Sequence, residues 1–136
     1  MKSIVLLSSK PWNKDIRNRL NIILDYDIHL IESEDCFNYE AIKIFNPEWI
    51  FVLHWNSIIP NNIWKNWRTI IFHMTDLPYG RGGSPLQNLI KNNHTSTMLS
   101  AIECQDELDS GDIYLKKPLS LYGSAEEIFI RADNLM

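Results

Sequence analysis

The sequence lacks a hydrophobic run of membrane-spanning length. Its N-terminal apolar stretch, Ile4–Leu7, is too short for the core of a signal peptide, and no small-residue cleavage site follows it. We therefore expect a cytoplasmic protein with no membrane partner.

The chain has few cysteines, and its basic residues are outnumbered by its acidic ones. Cys36 and Cys104 are far apart and lie outside any Cys-x-x-Cys motif, a pattern that favours two buried free thiols in a reducing compartment over a disulfide or a metal site. Lysine and arginine number 13 against 17 aspartates and glutamates, and they are scattered along the chain. A free-standing nucleic-acid-binding domain usually has a basic face, so we expect neither a metal nor a nucleic-acid partner.

Glycine is missing from the first predicted strand–helix turn. Ser8–Asn13 stands where dinucleotide-binding proteins have a Gly-x-Gly-x-x-Gly motif, whose glycines let the backbone approach a pyrophosphate. A dinucleotide cofactor therefore has little support. Trp12 in this turn is a candidate for stacking on a substrate base or sugar, although packing is the more common role of a tryptophan.

Strand and helix patterns alternate through the first half of the chain. The run Ser3–Leu7 is typical of a strand buried on both faces. Asn13 is expected to cap a helix in which Leu20 and Ile23 recur at helical spacing. Further strands are predicted at residues 28–31, 49–54 and 69–74. The alternation predicts an α/β fold with a Rossmann-like, mostly parallel sheet flanked by helices.

The second half begins with a helix signal. Ser84 is a typical N-cap, and Pro85 and Gln87 follow at the first and third helical positions, which predicts a helix to about Asn92. A second N-cap pattern opens a helix within which the chain stops, so we expect one domain over residues 1–136 that is truncated inside its last helix. Two strands are predicted between these helices, at Ser96–Glu103 and Asp112–Leu119.

Side chains at predicted strand ends are the candidates for chemistry. His54 and His73 each lie at the carboxyl end of a predicted buried strand, and open α/β sheets place their sites there. Asp109 lies in an acidic segment, 106–112, between the last two strands. A carboxylate beside His73 would raise the basicity of the imidazole and orient it for acid–base catalysis, and a solvated acidic turn is the alternative.

Two motifs resemble those of the folate-dependent formyltransferases, which include the glycinamide ribonucleotide, methionyl-tRNA and amino-sugar enzymes. Asp109 follows His73 by 36 residues, a separation similar to that of the family, and the likeness is specific from about residue 69 to 119. The motifs are His73-x-x-x-Leu77-Pro78-x-x-Arg81-Gly82-x-x-Pro85 and Leu108-Asp109-Ser110-Gly111-Asp112.

The resemblance implies a formyltransferase-like catalytic domain that takes its formyl group from 10-formyltetrahydrofolate. It makes His73 the catalytic histidine and Asp109 its essential carboxylate. Residues bordering the pterin pocket would be Asp106, Leu108, Ser110, Gly111 and Asp112. The acceptor side would be lined by Arg81, Gly82 and Gly83, with Trp12 as a further substrate-binding candidate.

One position departs from the family motif, which opens Asn-x-His where this chain has Ile71-Phe72-His73. Isoleucine cannot donate the hydrogen bond that polarises the formyl oxygen, and losing one such donor costs on the order of a hundredfold or more in rate. Another donor could substitute, the nearest candidates being Asn56, His54 and Thr75. The alternatives are a related one-carbon or acyl transfer, and a non-catalytic folate- or sugar-nucleotide-binding relative.

We infer the acceptor amine by excluding two of the acceptors that the family uses. A net charge of −4 argues against holding a transfer RNA, and the glycine-free turn Ser8–Asn13 argues against the phosphate of glycinamide ribonucleotide. We therefore expect a nucleotide-linked amino sugar as the acceptor, with methionyl-tRNA or another amine as the alternative. The sequence leaves open whether the protein forms a homodimer.

Overall fold

The computed structural model describes residues 2–9, 14–23, 25–55, 57–74, 77, 85–92, 94–105 and 111–124. Their elements, in chain order, are β1 Ser3–Ser8, α1 Lys14–Ile23, β2 Asp27–Ile31, a 3₁₀ helix Glu34–Cys36, α2 Tyr39–Phe45, β3 Trp49–His54, α3 Asn61–Trp64, β4 Arg68–His73, α4 Pro85–Lys91, β5 Ser96–Glu103 and β6 Ile113–Ser120.

The strands form one six-stranded sheet in the order β2-β1-β3-β4-β5-β6. β1 pairs in parallel with both β2 and β3, whereas β5 and β6 pair antiparallel. The chain divides within β4 into two compact units, residues 1–70 and 71–136. The predicted α/β fold with a mostly parallel sheet is confirmed.

The core of the first unit centres on β1. Ile4 through Leu7 are at most 5% exposed, which confirms a strand buried on both faces. The flanking strands supply Ile28, Ile50 and Val52 to the same interior.

α2 shows how sequence sets both ends of a helix. Asn38 caps it, since its Oδ1 accepts from Ala41 N at 2.9 Å, and Asn46 ends it in the left-handed region at φ 43. Pro47 follows at once, and a proline disfavours a helical conformation in the residue before it.

One prediction about burial in this unit is wrong, that of Cys36. Ile23, at helical spacing from the half-buried Leu20, ends α1 74% exposed. Helical spacing identifies a shared face but not how far along the helix the core extends. Cys36 is exposed in the 3₁₀ helix, whereas Cys104 is buried as expected, and both are free thiols. The expected cap Asn13 lies outside the described residues.

The second unit contains the end of β4, α4 and the β5–β6 hairpin. β5 has the predicted bounds, β4 ends at His73 rather than Met74, and β6 runs one residue later than predicted. The hairpin register pairs Ser100 with Lys116, and it shifts between Ala101 and Ile102. α4 begins at Pro85 as predicted, while Ser84 and the expected last helix lie outside the described residues.

Candidate functional site

His73 is the last residue of β4 and is 6% exposed. The structure therefore places this candidate at the carboxyl end of a strand, the position expected for chemistry in an α/β sheet. Ile71 lies two residues earlier in the same strand and is half-buried. Because alternate residues of a strand share one face, Ile71 and His73 project from the same face of the sheet.

The segment that follows His73 is tied to the hairpin at two backbone carbonyls. Thr97 Oγ1 on β5 donates to Met74 O at 3.3 Å, and Lys116 Nζ on β6 donates to Leu77 O at 2.7 Å. The side chain of Leu77 is itself buried, at 3% exposure. Sequence reasoning missed Thr97 and Lys116, because their partners are main-chain atoms far along the chain.

The second motif rejoins the sheet at Gly111 and Asp112. A Cβ at Gly111 would lie 2.7 Å from the carbonyl carbon of Glu103 and closer still to its oxygen, so only glycine fits this approach. Beside it, Glu103 N donates to Asp112 O at 2.9 Å. The side chain of Asp112 is exposed. These contacts fix where the segment containing Asp109 meets β6.

The first unit has its own carboxyl edge, where β1 and β3 end. His54 closes β3 and is 7% exposed, and its carbonyl accepts from Ser9 N at 2.9 Å and from Ser9 Oγ at 3.4 Å. Ser8 is completely buried at a register shift between the two strands. Strand order reverses at β1, so this edge is the topological switch point of the sheet.

The segment that follows β2 contacts the segment that follows β3. Ser57 Oγ donates to Glu34 Oε1, and Phe37 packs edge-on against Trp55 with ring centroids 5.7 Å apart. The indole Nε1 of Trp55 is buried without a hydrogen-bond partner among the described residues.

Many of the predicted site residues lie outside the described residues, so their roles and the pairing of His73 with Asp109 stay predictions. They are Trp12, Asn56, Thr75, Arg81, Gly82, Gly83, Asp106, Leu108, Asp109 and Ser110.

Two features are absent from the described part of the chain. It contains no group of three or more histidine, cysteine, aspartate or glutamate side chains that could hold a metal ion. None of its helices is long and apolar enough to cross a membrane.

Several known proteins are similar to this chain. It is 31% identical over 121 residues to a methionyl-tRNA formyltransferase from Campylobacter lari, covering 88% of this chain and 39% of that relative. A solved methionyl-tRNA formyltransferase from Clostridium thermocellum has a TM-score of 0.93 and 42% identity, covering 99% of this chain and 60% of that one. No model of a known protein family matches the chain.

A third similarity concerns the fold alone. The formyltransferase PseJ from Anoxybacillus kamchatkensis, solved with UDP-4,6-dideoxy-4-formamido-L-AltNAc and tetrahydrofolate, has a TM-score of 0.75 at 18% identity, covering 98% of this chain and 71% of that one. The chain spans about two fifths of the length of the Campylobacter lari relative.

Proposed function

The chain belongs to the folate-dependent formyltransferase family, and on that premise we propose that it transfers a formyl group from 10-formyltetrahydrofolate to an amine. The observation that carries the proposal is His73, buried at the carboxyl end of β4 and heading the motif that resembles the family's catalytic segment. A buried imidazole at a strand end is held in one place, which general acid–base catalysis requires.

Formyl transfer requires the protein to assist a proton transfer and to stabilise a developing charge. The amine nitrogen forms a bond to the formyl carbon, the bond from that carbon to N10 of the folate breaks, and the proton lost by the amine ends on N10. Charge develops on the formyl oxygen during the attack. His73 is proposed to relay the proton or stabilise that oxygen, and Asp109 to orient the imidazole.

Donor binding is proposed for the segment between β5 and β6. Asp112 presents an exposed carboxylate there, and the close packing of Gly111 on Glu103 holds the end of the segment against β5. The remaining proposed donor-binding residues are Asp106, Leu108 and Ser110, and the proposed acceptor side consists of Trp12, Arg81, Gly82 and Gly83.

Methionyl-tRNA becomes the first candidate for the acceptor. The support is the 42% identity to the Clostridium thermocellum methionyl-tRNA formyltransferase over 99% of this chain. The argument that an acidic chain is unsuited to binding a transfer RNA applies only to these 136 residues, whose net charge is −4. The chain covers 60% of that relative, so residues that hold the RNA need not lie among them.

A nucleotide-linked amino sugar is the second candidate. It is supported by that acidic charge and by the fold shared with PseJ, which was solved with a formylated UDP-sugar.

The test is a transfer assay with 10-formyltetrahydrofolate as donor. Methionyl-tRNA and a panel of amino-sugar nucleotides serve as acceptors, and His73→Ala and Asp109→Ala serve as inactive controls. Turnover with one acceptor class that both substitutions abolish would support the proposal and choose the acceptor.

Ile71 favours one competing function, a non-catalytic relative that binds folate or a sugar nucleotide. It lies on the same face as His73, where the family motif has its asparagine, and it offers no hydrogen-bond donor. Tetrahydrofolate binding by calorimetry without turnover on any acceptor would replace the enzyme with this function.

A further inference from the structure

Lys116 makes a long-range contact that the chemistry described above does not use. Its Nζ donates to the main-chain oxygen of Leu77 at 2.7 Å, across 39 residues of sequence. β5 lies between β4 and β6 in the sheet, so the lysine stem spans the width of one strand to reach the segment that follows His73.

The position of Lys116 within β6 explains why this lysine, and not its neighbour, makes the contact. Alternate residues of a strand project from opposite faces, so Lys116 and Lys117 point apart. Lys116 is half-buried and pairs in register with Ser100, which is completely buried, whereas Lys117 is exposed. The half-buried Lys116 therefore projects from the same face of the hairpin as Ser100 and donates to Leu77 O from there.

Leu77 is a well-defined anchor point for such a bond. Leu77 is 3% exposed, and because Pro78 follows it, a helical backbone is disfavoured at this residue. Those two constraints narrow the directions that its carbonyl can take. A bond from a charged donor is stronger than one between neutral groups, and Thr97 holds Met74 O nearby at 3.3 Å.

We propose that Lys116 is a positioning residue for formyl transfer, which holds Leu77 and thereby sets the placement of His73 and the motif that follows it. It acts through the main chain and touches no reacting atom. The proposal rests on the formyl-transfer function proposed above. A displacement of about 1 Å in a catalytic segment can lower a rate by up to about a hundredfold, so a main-chain anchor here has the leverage to matter.

The test compares Lys116→Met with Lys117→Met in the full chain. Both variants remove one positive charge and add the same apolar side chain to the same strand. Lys116 is half-buried and bonded to Leu77, whereas Lys117 is exposed, so exchange near Leu77 and rescue by arginine separate the effect of the bond from that of burial. Three quantities are measured: kcat and KM for 10-formyltetrahydrofolate, amide hydrogen exchange in peptides containing Leu77, and the melting temperature. Lys116→Arg, which keeps a charged donor, is the rescue variant, and Lys116→Gln, which removes the charge and shortens the side chain but stays polar, replaces Lys116→Met if that variant does not fold.

We expect Lys116→Met to lower kcat about tenfold or more while KM changes less than about threefold, and to speed exchange near Leu77. Lys117→Met should match the wild type within about twofold, and Lys116→Arg should recover much of the lost rate. Equal kcat and equal exchange for the two methionine variants would overturn the proposal. A wild-type chain without turnover would refute the proposed function, and the exchange comparison would still decide whether Lys116 anchors Leu77.

Discussion

Replacing Gly111 with alanine tests how the second motif is held against the sheet. The new Cβ would lie 2.7 Å from the carbonyl carbon of Glu103 and closer to its oxygen. Both are backbone atoms, so no side-chain rotation relieves the clash and the two segments must separate. That separation strains the bond from Glu103 N to Asp112 O, which is 2.9 Å long.

The cost combines two effects. Overpacking costs about 1–3 kcal/mol and the loss of a hydrogen bond about 1 kcal/mol, so we expect a destabilisation of about 2–4 kcal/mol. For a chain of this length, such a change lowers the melting temperature by roughly 10 °C. A left-handed backbone adds nothing to this cost, because the described residues with positive φ are Asn46 and Gly123.

Thermal unfolding followed by circular dichroism measures the effect, and Asp112→Ala is the matched control. Asp112 has an exposed side chain and uses its backbone oxygen in the contact, so its replacement should leave the melting temperature nearly unchanged. A Gly111→Ala protein that melts within about 1 °C of the wild type would refute the close approach to Glu103.

Three further predictions concern the site, a helix end and a titrating side chain. Ile71→Asn should raise kcat about tenfold or more, because asparagine adds a hydrogen-bond donor to the face that carries His73. Ile71→Leu is the control and should leave kcat unchanged. An unchanged kcat in a folded Ile71→Asn protein would show that another residue supplies the donor. Asn38→Ala should cost about 1 kcal/mol in denaturant unfolding by removing the cap on α2, whereas Ser33→Ala, at a cap without a side-chain cap bond, should cost less; equal losses would contradict the capping role. Glu48→Gln should lower the pKa of Tyr26, because the hydrogen bond from the tyrosine hydroxyl to the Glu48 carboxylate raises it, and an unchanged phenolate absorbance titration, assigned with Tyr26→Phe, would contradict that cause.

Strands were largely predictable because they depend on local pattern. The run Ile4–Leu7 consists of leucine and β-branched residues, and Ser96–Glu103 is mostly apolar from Met98 to Ile102, patterns that favour a buried strand. The end of α2 was predictable for the same reason, since Asn46 and Pro47 act on their own backbone. Cys36 shows the limit, because its exposure depends on which surfaces the rest of the fold covers.

The sequence predicts which residues belong to the candidate site better than it predicts their contacts. His73 could be placed at a strand end from the apolar run that precedes it, and the structure confirms that position. Gly111 was identified as a ligand-binding residue, whereas its described contact is with the backbone of Glu103, a tertiary approach that no local pattern reveals. Lys116 looked like an ordinary strand lysine, since its partner Leu77 is 39 residues away.

The rate of formyl transfer with His73→Asn, compared with His94→Asn, tests the central claim most directly. The same substitution is made at two histidines of the second unit, one buried at the end of β4 and one half-buried before β5. We expect His73→Asn to lower kcat about a hundredfold or more while tetrahydrofolate still binds, and His94→Asn to stay within about twofold of the wild type. Equal turnover by the two variants would contradict a catalytic role for His73.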